Sequence, residues 1–195
     1  VLGVDYPLTP EHPYPHALDM LAECAEKVAA DHPGAPLVLA GDSAGANLAL
    51  GLATRLRDEN GPKVGALILF YGCYRHLFDT ESHRLYGGGK YGLTTEGMRT
   101  YWQLYLSSDP NPHHGDLTQL GPTDLPPAFI ADAALDCLRD DSIWLDKRLS
   151  EAGIDATRYT TPGVPHGFLH YTGLYEPAFD ALASAGHWLN AKLTL

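Results

Sequence analysis

Three runs of this sequence, Pro36 to Ala40, Val64 to Tyr71 and Pro127 to Ala131, are apolar without interruption. A strand wetted on one side alternates apolar and polar residues, so unbroken runs of this length predict strands covered on both faces. Two of them lead within a few residues into segments of helical period, Ala44 to Glu59 and Asp140 to Ala152. Further helices are predicted at Ala17 to Ala30, where Leu18, Leu21, Ala22, Ala25 and Val28 recur at helical spacing, and at Pro177 to Leu193. Ile154 to Thr160 reads as another strand, and Val1 to Tyr6 as the end of one with no initiator Met before it, so an upstream portion is expected. Strand–helix alternation with buried strands predicts an α/β architecture, a parallel sheet between two helix layers.

The alternation breaks between Gly72 and Pro126, an aromatic, glycine-rich stretch with one predicted helix, Thr95 to Leu106. Excursions of this kind serve as lids or binding elements, so residues 1–195 are read as one domain with a pocket excursion at 72–126. A chain of 195 residues, 45% hydrophobic, is long enough to bury roughly two thirds of its unfolded surface. Its formal charge of -11 is spread without blocks, which favours solubility and argues against a nucleic-acid partner. Cys24, Cys73 and Cys137 form neither a disulfide framework nor a zinc spacing, and three scattered thiols point to a reducing cytoplasm. The most apolar stretch is far shorter than the roughly 20 residues a membrane helix needs.

The sharpest chemical signal is Gly41-Asp42-Ser43-Ala44-Gly45, a G-x-S-x-G set between a buried strand and a helix. That placement pushes Ser43 out at the strand's end, and side chains at Gly41 and Gly45 are expected to collide with the neighbouring strand and helix. The following helix offers the backbone N–H of Ala44 to a developing oxyanion. A serine hydroxyl attacks a carbonyl only with a base, and the base needs a carboxylate to fix its tautomer; in this turn type the chain order is Ser, acid, His. Asp136, just past the Pro127 to Ala134 strand, is the candidate acid, and His166, on the Thr161 to Phe168 loop after the last strand, the candidate base. Asp132 falls inside the strand, Asp140 and Asp141 open a helix where acidic residues suit the dipole, and His170 lies in a following turn that points elsewhere. His113-His114 with Asp116 lacks a third ligand at recognised spacing, and Gly87-Gly88-Gly89-Lys90 lacks the phosphate-loop spacing; neither metal nor cofactor is expected.

With these elements placed, the chain resembles the esterase and lipase family named after hormone-sensitive lipase, most closely its bacterial acetyl esterase branch. The resemblance rests on Val4-Asp5-Tyr6-Pro7-Leu8-Thr9-Pro10-Glu11 with Tyr14-Pro15, on Gly41 to Ala49, on Leu135-Asp136-Cys137-Leu138-Arg139-Asp140, and on His166-Gly167-Phe168. It implies an α/β-hydrolase fold, a triad of Ser43, Asp136 and His166, small-molecule ester substrates with short acyl chains, and a cytoplasmic setting. Pro7, Thr9, Ala46 and Cys137 depart from common family residues at positions peripheral to bond making. Family members also carry a His-Gly-Gly-Gly loop upstream of the Val4-Asp5-Tyr6 strand. None is present here, which extends the expectation that the natural protein is longer and that this stretch alone is a poor catalyst. Phe78, Tyr86, Tyr101, Trp102 and Tyr105 are candidate lid aromatics. The alternatives are a serine peptidase of the same fold and a non-catalytic ligand-binding member.

Overall fold

Four strands, β1 (Leu37–Asp42), β2 (Val64–Phe70), β3 (Ala128–Ala133) and β4 (Ala156–Thr161), lie side by side in chain order in the computed structural model, which describes residues 1–107, 109 and 112–193. All three pairings are parallel, with Gly41 opposite Leu69, Leu69 opposite Ile130 and Ala131 opposite Tyr159. The helices are α1 (His16–Asp31), α2 (Ala44–Asp58), α3 (Glu81–Tyr86), α4 (Thr95–Leu106), α5 (Arg139–Glu151) and α6 (Glu176–Leu193). Parallel neighbours cannot be joined by hairpins, so each crossover carries helix, and the unbroken apolar runs follow from that: both faces are covered.

Successive residues of β2 and β3 serve opposite sides of the sheet. Leu67, Leu69, Ala128 and Ile130 join a core with α1, α2 and α5, while Ala66, Ile68, Phe70, Phe129 and Ala131 pack toward Ala178, Ala181, Ala185 and Trp188 of α6. Leu67 and Leu69 have no exposed surface, and truncating either to Ala would cost about 2–5 kcal/mol. A third, smaller cluster forms at the C-terminal ends of the strands, where Met98, Trp102 and Leu106 of α4 pack on Cys73, Cys137 and Leu138. The excursion therefore has its own apolar contacts over the end of the sheet where β1, β2 and β3 stop.

Two features differ from the sequence expectation. Residues 1–8 form no strand: the segment makes no ladder, Val1 and Leu2 are exposed, and β1 is hydrogen-bonded on one side only, to β2. An extended apolar segment becomes a strand only when a neighbour accepts its backbone bonds, and among the described residues none pairs with Val1 to Tyr6. The short α3 is also additional. Thr80 caps it by accepting a hydrogen bond from the His83 amide, but six residues are too few to show a helical period.

Candidate active site

β1 ends at Asp42 and α2 begins at Ala44, so the reversal falls on Ser43 alone, which adopts φ 53° and ψ −117°. A residue with a side chain in that region carries about 1–3 kcal/mol of strain, held here by neighbours on both sides. The Ser43 amide donates to the Phe70 carbonyl of β2 (2.9 Å), and the Ser43 carbonyl accepts from the amides of Ala46 (3.1 Å) and Asn47 (3.3 Å). The helix thus starts on Ser43, and the Ala44 amide stands in its first turn, where no intrahelical acceptor exists. Ala44 is exposed and Ser43 half-buried.

The two glycines of the turn are not equivalent. A Cβ on Gly41 would fall on the carbonyl group of Gly45 and come within 2.8 Å of the Ala46 nitrogen, so the strand and helix cross here only because position 41 has no side chain. At Gly45 a Cβ would meet nothing within 4 Å. The expected collision there does not exist, because Gly45 faces away from the strand that Gly41 belongs to, on the open side of the first helical turn.

His166 follows Val164, a fully buried anchor of the loop after β4. This loop is stitched to the one after β3: the Ala134 amide donates to Thr161 (3.1 Å) and the Leu135 amide to Val164 (3.0 Å). Asp136 sits three residues beyond the end of β3, 2% exposed, with Oδ1 accepting from the Leu138 amide (3.0 Å). Its Oδ2 lies 2.7 Å from His166 Nδ1, and His166 Nε2 lies 2.9 Å from Ser43 Oγ. An ionised carboxylate only accepts, so Nδ1 carries the ring proton and Nε2 is left to accept from the serine hydroxyl. The structure therefore brings Ser43, His166 and Asp136 into one continuous chain of hydrogen bonds from residues as many as 123 positions apart.

The remaining polar candidates lie elsewhere. Asp132 is fully buried within β3, where Oδ2 accepts from Arg158 (2.6 Å) and Thr160 (3.0 Å). Asp140 and Asp141 do more than oppose a helix dipole: Asp140 accepts from the Ser82 amide (2.9 Å), and Asp141 accepts from the Tyr74 and Arg75 amides and the Arg75 guanidinium. His170 lies in the 3-10 turn Phe168–Tyr171 after Gly167. His114 pairs with Asp58 (3.1 Å), and Asp116 caps the turn at Thr118; among the described residues no three His, Cys, Asp or Glu side chains gather as a metal site. Burial pushes the thiols of Cys73 and Cys137 up to about 12, which keeps both as thiols at neutral pH.

Tyr71 was given no site role by sequence reasoning, although it stands at the end of β2 beside the turn that carries Ser43. It adopts φ 37°, its hydroxyl donates to Asp42 Oδ2 (3.1 Å), and its ring meets both His166 and Phe168 edge to face. Burial raises the Tyr71 pKa, with the adjacent Asp42 carboxylate acting in the same direction, so the hydroxyl stays protonated as a donor. Next to Ala44 a cavity of about 200 Å³ opens between Tyr6, Leu8, Asn47, Met98, Trp102 and Tyr105. Tyr101 also borders it, whereas Phe78 and Tyr86 pack against the apolar cluster around Met98.

A protein-family profile described by the alpha/beta hydrolase fold matches residues 1–170. The chain is similar to the esterase LipW from Mycobacterium marinum, at 29% identity and a TM-score of 0.86, over 97% of this chain and 62% of that one. It is similar as well to an esterase from the bacterial hormone-sensitive lipase family, at 25% identity and a TM-score of 0.89, over 98% of this chain and 65% of that one. A Pyrobaculum calidifontis esterase matches at 29% identity and a TM-score of 0.85, over 96% of this chain and 64% of that one. The chain thus spans just under two thirds of the length of these proteins.

Proposed function

We propose, from the premise that this chain belongs to the family with the alpha/beta hydrolase fold, that it is the catalytic portion of a carboxylic ester hydrolase acting on short-chain acyl esters. The observation that carries the reading is the relay from Ser43 through His166 to Asp136, at 2.9 and 2.7 Å, mounted on a strained turn at a helix N-terminus. His166 Nε2 takes the Ser43 proton as Oγ attacks the ester carbonyl, and Asp136 stabilises the imidazolium that results. The protonated ring then delivers its proton to the departing alcohol, leaving an acyl-serine. Water, deprotonated by the same nitrogen, attacks that ester and releases the acid.

The Ala44 amide donates to the oxyanion at each tetrahedral stage, and losing one such donor costs about 3–4 kcal/mol, or ~10²–10³ in rate. The cavity beside Ala44 supports short acyl groups: at about 200 Å³ it lies below the ~300–1,000 Å³ typical of sites for larger ligands. Residues 1–195 act as one catalytic domain in this reading, with 72–126 shaping the pocket. The similarity of sequence motifs to the acetyl esterase branch supports acetyl-like substrates and a cytoplasmic setting.

The test combines labelling and turnover. A fluorophosphonate is expected to modify Ser43, and p-nitrophenyl acetate to butyrate to be preferred over longer esters. A rate maximum at octanoate or beyond would overturn the short-chain assignment. Faster cleavage of a peptide anilide would favour a peptidase of the same fold, and absence of labelling in the full-length protein a ligand-binding role.

A further inference from the structure

Asp136 is held by something other than the sheet. β3 ends at Ala133, so the carboxylate is carried by the loop from Ala134 to Leu138, and a loop keeps a side chain in place only if its backbone is tied down. One side of this loop is tied to the His166 loop through the amides of Ala134 and Leu135. On the other side the excursion packs Met98 and Trp102 against Cys137 and Leu138, and Ser82 is the excursion residue that hydrogen-bonds to the Cys137 backbone.

Ser82 is 2% exposed, in the first turn of α3. Its hydroxyl donates to the carbonyl of Cys137 (2.7 Å), the residue next to Asp136, and accepts from the amide of Asp140 (3.2 Å). Its own amide donates to the Asp140 carboxylate (2.9 Å). Three hydrogen bonds, running in both directions, therefore bracket the stretch from Cys137 to Asp140. Within that stretch the Arg139 amide donates to the Asp136 carbonyl (3.2 Å) and the Leu138 amide to Asp136 Oδ1 (3.0 Å), so a shift of the bracketed backbone moves the acid with it. With the hydroxyl removed, the Cys137 carbonyl and Asp140 amide lose a shared partner in surroundings from which water is excluded, and the loop must adjust to satisfy them.

We propose that Ser82 is a positioning residue: it acts through the Cys137–Asp140 backbone to hold Asp136 against His166, so that the 72–126 excursion sets the triad's geometry as well as bordering the pocket. The proposal rests on the esterase reading for its kinetic consequence and on the structure alone for its geometric one. It excludes any contact between Ser82 and substrate; the effect travels through the orientation of the imidazole.

Ser82→Ala and Ser82→Thr are to be compared with wild type by turnover of p-nitrophenyl acetate per fluorophosphonate-titrated Ser43, and by the low-field proton resonance of His166 Nδ1–H bonded to Asp136. For Ser82→Ala, kcat per labelled site should fall roughly tenfold with KM unchanged, short of the ~100-fold that a misplacement of about 1 Å brings. The low-field resonance should broaden or move upfield, and Ser82→Thr, which keeps the hydroxyl, should recover both signals. Asp140→Ala, which removes only the bond to the Ser82 amide, should give a smaller change in the same direction. An unchanged kcat per labelled site with the resonance in place would overturn the proposal and leave Ser82 a packing residue. If wild type fails to label, ester hydrolysis is what fails, and the resonance comparison still decides whether Ser82 holds the acid.

Discussion

The ring of Tyr71 meets the imidazole of His166 edge to face, with centroids 5.0 Å apart, while its hydroxyl is bonded to Asp42 in the turn that carries Ser43. One side chain thus touches both the turn that carries Ser43 and the imidazole hydrogen-bonded to it. Tyr71→Phe keeps the ring and loses one hydrogen bond, so a stability loss of about 0.5–1.5 kcal/mol and a modest fall in kcat are expected. Tyr71→Ala also removes the wall behind the imidazole, and urea denaturation should show a loss of about 3–5 kcal/mol with a much larger fall in turnover.

Gly41 and Gly45 should separate cleanly under the same substitution. Gly41→Ala drives a methyl group into the carbonyl of Gly45, backbone against backbone, and the protein should fail to fold or lose more than about 4 kcal/mol. Gly45→Ala enters open space at a helical position, where alanine is better than glycine by about 0.5–1 kcal/mol. Equal destabilisation by both, measured by thermal melting, would contradict this geometry.

Asp136→Asn preserves shape and packing but leaves no anion to fix the tautomer of His166 or stabilise its protonated form. Turnover should drop by a factor on the order of 10⁴ while circular dichroism and melting temperature stay near wild type. Fluorophosphonate labelling of Ser43 should slow in parallel.

Stability should respond to pH through His83. Burial depresses its pKa below the usual 6.5, although Asp136 and Asp140 act in the opposite direction. The folded protein therefore binds fewer protons at this site than the unfolded chain, so the contribution to stability is complete above the unfolded value and is lost as pH falls through the folded one. Urea midpoints should decline on going from pH 7.5 to 5.5, and His83→Gln, which retains a polar side chain of similar reach toward Thr95, should flatten that decline.

The sheet and most helices were legible because their causes are local. Unbroken apolar runs marked β1, β2 and β3, and the periodic segment Thr95 to Leu106 became α4 with the same bounds. Ser43, Asp136 and His166 could be named because each follows a strand end, and strand ends are visible in sequence. What could not be read depended on partners distant along the chain. Among the described residues Val1 to Tyr6 has strand composition but no neighbour to pair with, and Gly45 has the motif's spacing but nothing within 4 Å of where a Cβ would stand; Asp141, placed at a helix start by its neighbours, is buried because Tyr74 and Arg75 come to it from 67 and 66 residues away. No motif assigned a role to Tyr71 or Ser82, since their roles arise only where two loops meet.

Neighbour order in the sheet equals order along the chain, and this has a bearing on synthesis. Each of β2, β3 and β4, as it leaves the ribosome, finds the strand it pairs with already made, while the face of β2 and β3 that packs on Ala178, Ala181 and Trp188 waits for α6. Residue 166 belongs to the last of these additions. The 2.9 Å contact between Ser43 Oγ and His166 Nε2 can therefore form only after the fourth strand docks and the loop behind it closes, so in the proposed reading the hydroxyl at 43 stays without its base until then.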